Sequence, residues 1–138
     1  MKYLFKPFTV KEVLKLDEQQ ILDHATKHLL GQGKRCTAHG GNSQCVMRAT
    51  QGGAKLACAV GYFIPDSVIK KTRGGRYATA HEFLVSCPHR KFQEWFLEHY
   101  DLLRDLQIIH DYEPLQRWKI LLKRLASNPD RARFSILK

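Results

Sequence analysis

Arg48, Asp66, Gln107, His110 and Asp111 are polar residues that could do chemistry if the fold brought them together. A guanidinium can hold a carboxylate or a phosphate through two parallel hydrogen bonds. A histidine with a carboxylate partner can move a proton. His110 and Asp111 are neighbours in the chain, however, and neighbouring positions on a helix do not face each other. Alone they form no expected dyad. A metal-dependent hydrolase built on them would need a further histidine and a distant aspartate, for which His81 and Asp130 are present. The simpler expectation is an internal brace. Arg48 pairs with Asp66 or Asp111 and pins a hairpin to a helix end. Gln107 and His110 then satisfy nearby backbone groups, because buried polar groups need partners.

The cysteines offer a second constellation. Cys36, His39, Cys45 and Cys58 include a C-x2-H spacing that can serve zinc. The remaining spacings are irregular, no C-x2-C pair occurs, and Cys87 stands apart. Free thiols of a reducing compartment, packed as small apolar residues, are therefore expected. His24 and His28 lie four apart on one helical pattern with no third ligand evident, so they read as core histidines. No cofactor and no metal is expected.

The formal charge is +10, and it is banded. Lys70, Lys71, Arg73, Arg76, Arg90 and Lys91 form one basic stretch, against Glu82 alone. Arg117, Lys119, Lys123 and Arg124 begin a second, which runs to the end of the chain. Between them, residues 92–113 hold six acids and only Arg104. Such bands can steer a polyanion or an acidic protein surface. Tyr77, Phe92, Trp118 and Phe134 are the aromatics near them that could stack on bases; Phe92 and Trp118 fall on apolar helical stripes, which argues for core. The loop GQGKRCTAHGGNSQ (31–44) lacks the phosphate-loop order, although Lys34, Arg35 and His39 could touch an anion.

The elements that must position these residues can be read from periodicity. Thr9-x-x-Glu12 and Thr79-x-x-Glu82 are capping boxes, and Asp17 is a further cap. Ile21, Leu22, Ala25, His28 and Leu29 share one helical face that ends at Gly31 or Gly33. Gly52-Gly53 reads as a tight hairpin turn within residues 44–64. It would pair Gln51 with Ala54, Met47 with Cys58 and Cys45 with Val60. Alternation puts Cys45, Met47, Ala49, Leu56, Cys58, Val60, Tyr62 and Ile64 on a core face. The other face holds Arg48 among small residues, open to a helix, a backbone or a flat ligand. Asp66 or Ser67 caps a short helical turn, and Pro88 suits a helix N1 position. Residues 92–111 form one helix or two broken near Tyr100-Asp101. Pro114 starts a last helix that Asn128-Pro129 closes. LFKPF or FSIL could add a third strand. The expected fold is α+β: one domain, 1–138, with the hairpin packed by four to five helices and residues 129–138 as a flexible basic tail.

Cys45-x-x-Arg48, Cys58-Ala-Val-Gly61, Ile64-Pro65-Asp66 and Leu106-Gln107-x-x-His110-Asp111 follow one another in this order. The set resembles a group of small bacteriophage and prophage proteins with C-x-x-R, CAVG-x-x-IPD and LQ-x-x-HD elements, over about residues 29–125. The resemblance implies a phage setting and no particular reaction. This chain departs from the pattern between the IPD and LQ elements, where it carries the basic TRGGR and HRKF stretches. With no membrane span and no leader pattern in the sequence, the expectation is a cytoplasmic, non-enzymatic accessory protein. It would inhibit a host or defence factor through its basic bands. Direct DNA or RNA binding by the same bands is the alternative. A nucleotide-binding protein or hydrolase using Arg48, His110 and Asp111 is a third reading.

Overall fold

Capping and turn signals set most element boundaries in the computed structural model, which describes residues 2–40 and 43–127. The chain opens with β1 (Lys2–Tyr3). In α1 (Val10–Val13) the Thr9 hydroxyl accepts the Glu12 N–H and the Glu12 carboxylate accepts the Thr9 N–H. Asp17 and Gln20 make the same reciprocal pair at α2 (Glu18–Gln32), which ends at Gly33. Its inward face is the expected one, Ile21, Leu22, Ala25, His28 and Leu29, with Gln32 added.

The hairpin is β2 (Arg48–Gln51) and β3 (Ala54–Ala57), antiparallel, with Gln51 opposite Ala54 and Arg48 opposite Ala57. Gly52 and Gly53 have φ of 55° and 79°, the left-handed pair that a two-residue hairpin turn demands. The ladder is shorter than the 44–64 expected. One more bond, Cys58 N–H to the Met47 carbonyl, extends it, and then the chain turns away. Cys45 and Val60 do not pair; Cys45 bridges to Thr37 instead. The third strand is β1, which lies parallel to β3, so the sheet order is β1-β3-β2. It precedes the LFKPF stretch, whose Leu4 continues the pairing through its N–H to the Lys55 carbonyl.

A 3-10 turn at Gly61–Phe63 leads into α3 (Asp66–Lys71). Neither Asp66 nor Ser67 caps it: Pro65 is the N-cap residue and makes no side-chain bond there. A second 3-10 turn (Gly75–Tyr77) precedes α4 (Ala80–Ser86), where Thr79 and Glu82 form the expected capping box. The N-cap of α5 (Arg90–Glu98) is His89, which leaves Pro88 one position outside the helix rather than at N1. His99 separates α5 from α6 (Tyr100–Tyr112), and α7 (Leu115–Ser127) follows Pro114. The expected tail, 129–138, and FSIL lie outside the described residues.

The result is a single α+β fold. α2, α6 and α7 pack on one another, and the sheet and the turn after it close the same core. Phe63, Phe83, Phe92, Phe96 and Trp118 are among its largest fully buried side chains. No helix among the described residues is long and apolar enough to cross a membrane.

Candidate functional site

The turn from Cys58 to Asp66 is where the motif residues meet. Arg48 projects from β2 across it. Its Nε donates to the Gly61 carbonyl at 3.2 Å and its Nη2 to the Ile64 carbonyl at 2.6 Å, while Nη1 pairs with the Asp66 carboxylate. The guanidinium also lies 4.9 Å from the Phe5 ring centroid. From the opposite side, Gln107 on α6 accepts the Val60 N–H at 2.8 Å. The Cys58 sulfur accepts the Gly61 N–H at 3.1 Å. Gly61 is required sterically, because a Cβ there would overlap the Met47 carbonyl oxygen and lie 3.0 Å from Met47 Cα. The brace thus follows the expected plan, with Arg48 choosing Asp66 over Asp111.

His110 and Asp111 do pair, contrary to the expectation from helical spacing: His110 Nδ1 lies 2.6 Å from Asp111 Oδ1. Their Cβ atoms diverge, but the Asp111 carboxylate folds back along α6, where Gln107 Nε2 donates to it at 2.8 Å. The imidazole tip reaches the same point. The ring is fully buried, and its Nε2 accepts the Cys36 N–H at 2.9 Å. A neutral imidazole whose Nε2 is an acceptor carries its proton on Nδ1. Both nitrogens are therefore committed to internal bonds, and neither is free to act as a base.

Cys45, His110 and Asp111 are the one group among the described residues whose ligand atoms, all within 4.8 Å of one another, could gather a metal ion. The chemistry of these donors does not fit. A metal on His110 Nδ1 would move the ring proton to Nε2, against the Cys36 N–H. The Cys45 thiol is pushed up to about 11 by burial and by Asp111, so it is protonated near neutrality. Burial raises Cys58 to about 12 and Cys36 higher still. Thiols held protonated in this way are poor nucleophiles. The sequence-derived zinc set does not assemble either, because Cys36 and Cys58 are buried and His39 is exposed. His81 is exposed on α4, and Asp130 lies outside the described residues.

Several braces carry no sequence signal because they join distant segments. Arg35 donates to the His110 carbonyl at 2.9 Å and to the Glu113 carbonyl, with its guanidinium 5.9 Å from the Trp118 ring. It holds the C-terminal carbonyls of α6 and is spent on the fold rather than on an anion. Gln32 pairs with both backbone groups of Ala57 at 3.0 Å, and His28 Nε2 donates to the Ala57 carbonyl at 2.9 Å. Helix α2 thus satisfies the backbone of β3 where its pairing with β1 has ended.

The basic side chains separate by partner. Arg90 faces Glu94 at 3.5 Å and Arg117 faces Glu113 at 2.9 Å. Lys91, Lys119, Lys123 and Arg124 are exposed, without a carboxylate partner among the described residues. Lys70, Lys71, Arg73 and Arg76 also lack one, and they gather around α3 and the turn after it. Arg76 donates to the Arg48 carbonyl at 3.3 Å and to the Tyr77 hydroxyl at 2.8 Å, its guanidinium 4.8 Å from the exposed Tyr77 ring. Phe92 and Trp118 are core residues, and Phe134 is outside the described residues. A cleft of about 260 Å³ opens beside this cluster, lined by Phe5, Arg48, Leu56, Asp66, Lys70 and Arg76 among others. No protein-family model, no curated protein and no solved structure matches this chain.

Proposed function

We propose that this protein acts by binding rather than by catalysis. Its face around residues 70–77 engages an acidic surface of a host or defence protein, as a small phage-type inhibitor in the host cytoplasm would. One observation carries the reading: Lys70, Lys71, Arg73 and Arg76, on α3 and the turn after it, have no carboxylate partner among the described residues, and Arg76 rests on the exposed Tyr77 ring. Arg and Tyr are the side chains that most often anchor protein interfaces, and unpaired surface charge speeds encounter with an opposite field. Direct binding of single-stranded nucleic acid is the second reading, favoured by the guanidinium of Arg76 resting on the Tyr77 ring, a cation beside a stacking platform.

Affinity capture from host lysate, with and without nuclease, separates the two. A defined protein complex should survive nuclease treatment. It should be lost for Lys70→Glu, Lys71→Glu and Arg73→Glu combined, while the thermal unfolding midpoint stays unchanged. Capture that vanishes with nuclease, together with salt-sensitive binding of a short single strand by the pure protein, selects the second reading. A charge-reversed protein that still retains its partner removes this face from the account.

A further inference from the structure

We propose that the outward strip of α7 binds the phosphate backbone of a nucleic-acid duplex, independently of the face around residues 70–77. Helix α7 carries four basic residues and no acid. Arg117 is taken up by Glu113. Lys119, Lys123 and Arg124 are exposed and have no carboxylate partner among the described residues. Gln116 and Ile120 are exposed beside them. Positions three and four apart share a helical face, so these five side chains form one strip, about 12 Å long at a rise of about 1.5 Å per residue. It presents positive charge and N–H donors with Ile120 as the lone apolar interruption.

The make-up of the strip selects the partner. Protein interfaces are anchored by aromatic side chains and are poor in Lys; this strip has two lysines and no aromatic. A helix lying on a membrane buries its apolar face in lipid, but Trp118, Leu121, Leu122 and Leu125 are already buried in the protein core. Single strands are held by stacking on exposed aromatic side chains, which the strip lacks. A duplex needs none of these. Its phosphates are contacted by Lys, Arg and Gln side chains, and it carries one negative charge per about 1.7 Å of axis. A lysine is a point charge on a flexible stem, so it meets a phosphate without demanding one orientation. The contacts are to backbone, and the binding is therefore independent of base sequence.

Fluorescence anisotropy with short labelled DNA duplexes of two unrelated sequences tests this, with the matching single strand and phosphatidylserine vesicles as competitors. Both duplexes should bind equally, and more tightly than the single strand. Three phosphate contacts give a slope of about −2.7 in log K against log salt, about −0.9 for each, so a fourfold rise in salt should weaken binding about fortyfold. Lys123→Gln should flatten the slope by about 0.9. Lys119→Gln, Lys123→Gln and Arg124→Gln combined should abolish binding while circular dichroism shows the helices retained, since Gln is a good helix former. Cations that only stabilised the helix end would lower the thermal midpoint and leave the salt slope alone. Lys70→Gln, Lys71→Gln and Arg73→Gln combined remove the same charge from the other face and should leave the slope unchanged. No duplex binding at low salt, an unchanged slope in the α7 triple variant, the same loss from both triple variants, or equal competition by the single strand or the vesicles each overturns the proposal. If no host protein is captured and the duplex still binds α7, the proposed function alone fails.

Discussion

Arg48 shows how a single side chain can carry a motif. Its surroundings are mostly backbone: two carbonyls of the turn, with Asp66 completing the set. The Asp66 side chain is 38% exposed, so solvent screens the ion pair and the carbonyl bonds dominate. Arg48→Ala should therefore cost about 3 kcal/mol in urea unfolding, and Asp66→Asn about 1 kcal/mol or less. Equal losses from the two would mean that the ion pair, not the turn, is what Arg48 secures. Asp105 and His28 make a second case. Each is buried with one side-chain atom lacking a hydrogen-bond partner, Asp105 Oδ2 and His28 Nδ1. Burial lowers His28 from 6.5 to about 4, so the unfolded chain binds the extra proton and stability falls as pH drops through 6.5 to 4. Burial raises Asp105 from 3.8 to about 6, Arg104 only partly opposing it, so here stability is lost as pH rises from 3.8 to 6. Shifts of this size are each worth roughly 3 kcal/mol, and below pH 6 they oppose each other. Asp105→Asn should stabilise the protein near pH 7 and leave a steeper loss between pH 6 and 4. Urea midpoints across that range check it; a variant no more stable than the parent at pH 7 would contradict the burial argument.

At the scale of elements, local chemistry sets boundaries well. Thr79 and Glu82 fix the start of α4 through bonds that span three residues, so the sequence window contains every participant. Thr79→Ala removes one cap and should cost about 1 kcal/mol, which calorimetry would show as a fall in midpoint of about 3 °C for a domain of this length. An unchanged midpoint would mean that α4 is held by the packing of Phe83 against Phe92 and Phe96 alone. The register of the hairpin was equally legible, because a Gly-Gly turn leaves few pairings. Its length was not. Alternation continues on paper to Ile64, but Gly61 and Arg48 turn the chain after Cys58, and the turn depends on a contact with Met47 and an acceptor on α6.

Across the whole molecule, the charge bands resolve into paired and unpaired groups. Arg90 and Arg117 find carboxylates one helical turn away, whereas the cluster from Lys70 to Arg76 finds none among the described residues. Surface cations of the first kind contribute little to a partner's field. For this reason the proposed complex should weaken with salt through the 70–76 cluster. Charge reversal at Lys70, Lys71 and Arg73 should flatten that salt dependence, and reversal of Arg90 and Arg117 should leave it as it was. A salt series on both variants measures this directly.

The sequence by itself determined the α+β class, the capped helix starts, the two-glycine reversal and the surplus of positive charge. Each of these rests on residues close together in the chain or on simple composition. Only the tertiary structure decided that Arg48 serves the turn, that His110 has no free nitrogen, that Arg35 and Gln32 are internal braces, and that a cationic cleft opens beside α3. Those outcomes depend on which backbone groups of distant segments lie within about 3 Å of a side chain, a distance that no local pattern encodes.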